Sequence, residues 1–448
     1  MVASSRGRIT SLYVHVPFCA HKCGYCAFYS EASSGELINR YVSALIREME
    51  LVADDLAPRT IFFGGGTPSL LNLRQWEQIL QAMERLGLLG ATEWTVECNP
   101  ATVSLDKAKM LRSYGVNRIS MGVQSLNEAL LDRLGRIHSR EMVFKSFDIL
   151  RQAGFDNLNV DLMFAIPGQT LEVWKGTLAE ATALGSEHLS SYEVIYEEDT
   201  ALYAQLHAGE FDLDEDLACA MYEELASHAA RAGFHQYEVA NFARNTSHKP
   251  PVTVQAGRVV GRASRLSVGR LALEATNAGE TPAAAGGTPA PLPDQLQSPQ
   301  IRSEAEFGAP FIPSRACQHN VNYWRGGSFY GLGPSATGYV RGARTRNWSN
   351  TQLYCEQLEK GRRAIESSEA LRPLARAGET AAFGLRMNAG WPFEEFQSVT
   401  GHDLRGEWRE EMTKLVQQGW GQMGADRFQL TSHGLRFADA AAEMFLRS

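Results

Sequence analysis

The stretch YVHVPFCAHKCGYCAF, residues 13–28, sets three cysteines directly behind a short apolar segment. Residues 10–17, TSLYVHVP, alternate and are rich in β-branched and aromatic types, which predicts a strand that Pro17 ends. Cys19, Cys23 and Cys26 then fall on the following loop with the spacing C-x3-C-x2-C. A small buried hydrophobe accounts for an isolated cysteine such as Cys98, Cys219 or Cys355. It does not account for three thiols in eight residues, a density that points to metal binding. Structural zinc sites pair C-x2-C with a second, distant pair, and no second pair exists here. Iron–sulfur cubanes use closely spaced thiolates, normally four. Three leave one iron open to a substrate or cofactor, unless His15 or His21 fills it.

Working outward, the strand-then-loop unit recurs. TIFFGGGTPS (60–69), EWTVECNP (93–100), VNRISMGVQS (116–125), NLNVDLMFAIPGQ (157–169) and HLSSYEVIY (188–196) read as strands with their loops. Residues 36–53, 73–87, 105–115, 139–153 and 170–184 between them read as helices. This alternation, through about residue 240, predicts an α/β fold of parallel strands with helices outside. Nearly every strand ends in a glycine, proline or polar cluster, and in α/β barrels such ends converge on the site.

Beyond residue 244 the character changes. Residues 245–314 carry TPAAAGGTPAPLP and no aromatic residue between Phe242 and Phe307, which reads as a low-complexity insertion with too little apolar bulk to order itself. Ordinary sequence resumes at 315–369 as a continuation of the core, with HNVNYW at 319–324 in what looks like a packed loop. Residues 370–448 read as a small α+β, winged-helix-like domain, with FQLT a strand and SHGLRFADAAAEMF a helix. No basic recognition face accompanies it, so nucleic acid is not an expected partner.

Composition agrees with a globular chain: 448 residues, 44% hydrophobic, 21% charged, net charge −8. The negative balance gives polyanion binding no support. No run of 18 apolar residues occurs, and the N-terminus lacks the apolar stretch of a signal peptide. A cytoplasmic location is expected, where the seven cysteines stay reduced.

C-x3-C-x2-C on the loop after the first barrel strand resembles the signature of radical S-adenosylmethionine enzymes. The resemblance implies a partial (β/α)6 TIM-like barrel and a [4Fe-4S] cluster on Cys19, Cys23 and Cys26. Its open iron would chelate S-adenosylmethionine, whose one-electron cleavage yields a 5′-deoxyadenosyl radical. The fuller set YVHVPFCAHKCGYCAF, GGGTPS, ECNP, RISMGVQS, NVDLMFAIPGQT, YEVIYEEDT, CQHNVNYWRGGSFYGLGPSA and LTSHGLRF is similar to the branch containing oxygen-independent coproporphyrinogen III oxidase and the HemW-type haem chaperones. It spans the chain except about 245–314. By this resemblance Gly65, Gly66 and Thr67 contact the methionine portion of the cofactor. Glu97 binds it too, Tyr13 and Tyr25 pack near it, and Gln124, Arg136 and Asp161 hold its carboxylate and ribose.

Within the branch, the oxidase ends its motif C-x-C, whereas Cys26-Ala27-Phe28 matches the chaperones' C-x-F. The short run before the first strand also lacks the oxidase's substrate-enclosing extension. HNVNYW resembles an HNxxYW motif linked to haem binding, which makes His319 the implied haem ligand. The function implied is to bind haem and pass it to acceptor proteins, respiratory ones among them. An unidentified electron donor and peripheral membrane association through the acceptor are implied as well. The alternative is oxidative decarboxylation of coproporphyrinogen III. GPSATG at 333–338 places Thr337 where members commonly carry histidine, and threonine cannot ligate haem iron in its place.

Overall fold

Six strands, β1 (Ile9–Val16), β2 (Leu56–Gly65), β3 (Glu93–Cys98), β4 (Arg118–Leu126), β5 (Leu158–Phe164) and β6 (His188–Glu193), lie in chain order in the computed structural model. The structure describes residues 7–32, 35–245, 261–262 and 312–447. Each strand pairs in parallel with the next. Helices α1 (Gly35–Val52), α2 (Leu73–Arg85), α3 (Leu105–Ser113), α4 (Glu128–Leu134), α5 (Arg140–Gln152) and α6 (Leu171–Ala183) occupy the crossovers. Every residue of β4 and β5 is buried, because a parallel sheet is covered on both faces. The expected partial (β/α)6 barrel is the fold. The low-complexity insertion expected at 245–314 lies outside the described residues apart from Asn245, Gly261–Arg262 and 312–314.

The barrel is extended at both edges. The strand Tyr330–Leu332 pairs in parallel with β1, Leu12 opposite Tyr330, so the GSFYGLGPSA stretch returns to the sheet. Asn241–Ala243 and His235–Glu238 add antiparallel strands beside β6. Buried Glu48 on α1 locks the first edge: it accepts from Gly333 N at 2.9 Å, Tyr354 Oη at 2.8 Å and Asn347 Nδ2 at 2.8 Å. Thr337 opens the strand Thr337–Val340, opposite Arg346 of the antiparallel strand Ala343–Asn347.

Two helices depart from the sequence reading. The seven-residue α4 is too short to show a period; Asn127 caps it by accepting from Leu130 N, and Gly135 ends it in the left-handed conformation. HNVNYW is not a loop but lies within the helix Gln318–Trp324. No local side chain caps that helix. The Glu93 carboxylate of β3 does so, accepting from Gln318 N at 2.8 Å and His319 N at 2.9 Å.

The C-terminal part has its own core, in which Trp391, Phe396, Trp408, Phe428 and Phe445 are buried together. Helices Pro373–Gly384, Phe393–Thr400, Arg409–Gln417 and Ala438–Glu443 surround an antiparallel sheet ordered Trp391–Pro392, Arg427–Leu430, Gly421–Met423, the expected winged-helix-like α+β arrangement. Backbone bonds Val239 N to Arg386 O and Asn388 N to Tyr237 O join it to the barrel edge. Among the described residues no helix is long and apolar enough to cross a membrane.

Candidate functional site

The cysteine loop is stitched by backbone bonds to the end of β2, to the end of α4 and to the helix Ala201–His207. Gly66 N donates to Val16 O and Thr67 N to Phe18 O, both at 2.8 Å. Gly24 N donates to Leu134 O at 3.1 Å and Leu202 N to Gly24 O at 2.8 Å. Gly66 must be glycine: a Cβ there would stand 2.7 Å from Phe18 O and 2.9 Å from Val16 O. Gly65 adopts φ +103°, and a Cβ would meet the His15 ring at 2.6 Å.

Around this loop the predicted residues of β1 to β4 come together. Cys19 Sγ lies 3.5 Å from Thr67 Oγ1, and Arg136 Nη1 donates to Cys23 Sγ at 3.4 Å. Glu97 lies across Gly64, where a Cβ would come within 3.2 Å of its carboxylate. His15 Nε2 donates to Tyr29 O at 2.9 Å, which leaves Nδ1 to accept from the Tyr13 hydroxyl at 3.1 Å. Burial lowers the His15 pKa to about 4. Both ring nitrogens are thus engaged within the fold, an arrangement that suits a supporting residue rather than a ligand. Tyr25 is buried in the barrel core. Cys19, Cys23 and Cys26 are half-buried and unpaired by disulfides. Among the described residues no three His, Cys, Asp or Glu side chains are placed to share one metal ion. The thiolates of a cubane bind separate irons and stand further apart.

Gln124 tests whether the site suits a ligand. It is fully buried at the end of β4 with φ +70°, and neither its Nε2 nor its Oε1 has a hydrogen-bond partner. A strained backbone carrying an unsatisfied buried amide persists where a ligand supplies what the protein does not. The residues present therefore fit a bound polar cofactor at these strand ends. Asp161 lies deeper on β5, its carboxylate accepting from Ser120 Oγ at 3.1 Å and Asn159 Nδ2 at 2.9 Å.

His319 lies deeper in the barrel than the cysteine loop, its ring stacked on Phe62, whose ring in turn stands 6.2 Å from that of Tyr13. Thr60 Oγ1, 3.0 Å from His319 Nδ1, sits five residues before Gly65 on β2, roughly 17 Å of strand. Thr60 gives its own proton to Ser11 Oγ at 2.8 Å, so it accepts from His319 Nδ1–H. The Nε2 lone pair faces the Tyr323 hydroxyl at 2.6 Å, and Phe62 stacks on the ring at 5.4 Å. His319 is 1% exposed, and burial, aided by Arg118, lowers its pKa to about 3. As placed, it offers iron no nitrogen and haem no open face. Sequence reasoning did not single out Thr60, Glu93 or His138, and the contacts of Thr60 and Glu93 with the helix Gln318–Trp324 arise only from tertiary packing.

Residues 13–181 match the radical SAM superfamily, and residues 371–437 match the HemN C-terminal domain. The chain is 30% identical to the heme chaperone HemW of Lactococcus lactis, over 97% of each chain. It belongs to the HemW family. The HemW of Escherichia coli is 29% identical over 97% of this chain and 98% of its own. That of Bacillus subtilis is 28% identical over 97% and 99%. The fold also matches the coproporphyrinogen III oxidase HemN of Escherichia coli, with TM-score 0.72, 20% identity, and 98% and 90% of the two chains covered. Membership of the HemW family within the radical SAM superfamily implies a [4Fe-4S] cluster and S-adenosylmethionine as cofactors.

Proposed function

We propose that the chain is a cytoplasmic haem chaperone that binds haem and hands it to acceptor haem proteins. The observation carrying this reading is similarity over essentially the whole chain to proteins named heme chaperone HemW, combined with Phe28 where the oxidase has its extra cysteine. Cys19, Cys23 and Cys26 would hold the cluster, which with S-adenosylmethionine supplies one-electron chemistry. Gly65, Gly66 and Thr67 give a cofactor a backbone lined without bulk. Gln124 offers its buried amide, Glu97 a carboxylate and Arg136 a guanidinium beside the cysteine loop. Tyr13 and Tyr25 flank that region, and Asp161 supplies a carboxylate deeper in the barrel.

For haem, the donor chemistry of His319 is suitable and its present position is closed. Its tautomer leaves Nε2 as the lone pair, and Tyr323 holds it. Haem binding there therefore requires Tyr323 to turn away first. Anaerobic reconstitution followed by haem titration tests the reading, with chromatographic assay for protoporphyrinogen run beside it. A stable Soret shift that His319→Ala abolishes supports it. Product formation from coproporphyrinogen III without haem retention would replace it with the oxidase reading.

A further inference from the structure

Arg136 follows directly on the left-handed end of α4, where its guanidinium reaches two elements at once. Nη2 donates to Gly122 O on β4 at 2.8 Å, and Nη1 donates to Cys23 Sγ at 3.4 Å. Nη2 also lies 3.4 Å from Nδ1 of His138. His138 is 2% exposed, and its Nε2 stands 2.9 Å from Val123 O. A carbonyl only accepts, so Nε2 carries the proton. The neutral ring then presents Nδ1 as a lone pair toward Arg136. A second proton on the ring would point at the guanidinium and repel it. The three groups form a directed chain from β4 through His138 and Arg136 to Cys23. The three cysteines are not equivalent in this respect: the neighbour of Cys19 is the neutral hydroxyl of Thr67.

Hydrogen bonds and positive charge at a thiolate sulfur favour the more negative, reduced state of an iron–sulfur cluster. We propose that the Arg136–Cys23 hydrogen bond raises the reduction potential of the cluster and that His138 is the positioning residue that holds Arg136 in place for it. This rests on the reading that Cys23 is a cluster ligand. It is separate from any contact Arg136 makes with S-adenosylmethionine, and it gives His138 a role that cofactor contacts do not.

The test uses the full chain reconstituted anaerobically with iron and sulfide, without S-adenosylmethionine. A mediated dithionite titration followed by EPR reads the midpoint potential. His138→Leu and Arg136→Met should move it negative by about a tenfold change in the one-electron equilibrium, ~59 mV. His138→Gln, which can donate to Val123 O and accept from Arg136, should stay at the wild-type value. Wild-type potential in His138→Leu and Arg136→Met with iron retained overturns the proposal. So does an equal shift in His138→Gln and His138→Leu. If His138→Leu takes up no iron, Arg136→Met decides; loss of iron from both makes the pair a folding element and overturns the proposal too. Failure of the wild-type chain to take up iron sinks the reading of Cys23 itself, a distinguishable result.

Discussion

The Tyr323 hydroxyl stands 2.6 Å from Nε2 of His319, one turn along the same helix, while Thr60 takes the other ring nitrogen. The tyrosine therefore competes with any metal for the one available lone pair. Tyr323→Phe removes the competitor and keeps the ring that packs on Phe329 at 4.4 Å. A neutral hydrogen bond contributes about 1 kcal/mol net, so haem affinity should rise about fivefold. Haem titration monitored at the Soret band checks this. Unchanged affinity in Tyr323→Phe would mean that the hydroxyl does not guard the ligand.

The same burial gives His319 a pH signature. Its pKa falls from 6.5 to about 3, chiefly through desolvation and then through Arg118. Below pH 6.5 the unfolded chain binds a proton that the folded chain refuses, so stability falls as pH drops from 6.5 toward 3. Above pH 6.5 this contribution is fully present. Other buried groups titrate as well, so the measurement is a difference: wild type against His319→Gln. The advantage of wild type over the variant should shrink by about 2 kcal/mol between pH 7 and pH 5. Urea melts at both pH values read it, and a pH-independent difference would show that the histidine is not held neutral by the fold.

The barrel was legible because nearly every strand is a short apolar run closed by a glycine, proline or polar cluster, and the longer intervening helices show their period. At the start of α2 the structure adds a capping box between Asn72 and Gln75. The helix Gln318–Trp324 was not legible, because the group that caps it is Glu93, more than two hundred residues away. A sequence read locally sees glycines and aromatics there, hence a loop. The candidate site divides in the same way. Cys19, Thr67, Cys23 and Arg136 were gathered by the cysteine spacing and by the resemblance of the motifs around them, and in the structure Cys19 neighbours Thr67 and Cys23 neighbours Arg136. The placement of His319 beside Thr60 and Phe62 in the middle of β2, with both nitrogens engaged, follows from tertiary contacts that no motif encodes.

Gln124 allows cofactor binding to be separated from stability. Its amide is buried without partners on a backbone at φ +70°. Gln124→Met removes two unsatisfied polar atoms at similar volume. In the free protein this should stabilise by about 1–3 kcal/mol, the desolvation cost of such groups. If the amide serves S-adenosylmethionine, the same change should weaken its binding. Thermal melts with and without S-adenosylmethionine give both quantities: a higher Tm for the free variant and a smaller shift on adding the cofactor. A variant that binds as tightly as wild type would show that the amide faces no ligand.

Two glycines give opposite expectations for one added methyl group. At Gly66 a Cβ would press on Phe18 O at 2.7 Å and Phe18 N at 2.9 Å, main-chain atoms that cannot rotate aside. Phe18 is bonded to Cys19, so relief of the clash must displace the first cluster cysteine. Gly66→Ala should cost about 1–3 kcal/mol and lower the iron retained after reconstitution. Gly176 lies exposed within α6 with nothing within 4 Å of its Cβ position. Gly176→Ala should stabilise by about 0.5–1 kcal/mol through helix propensity and leave iron content unchanged. Urea melts and iron assays on the two variants check the contrast. Full iron retention in Gly66→Ala would show that the β2 end does not fix the cysteine loop.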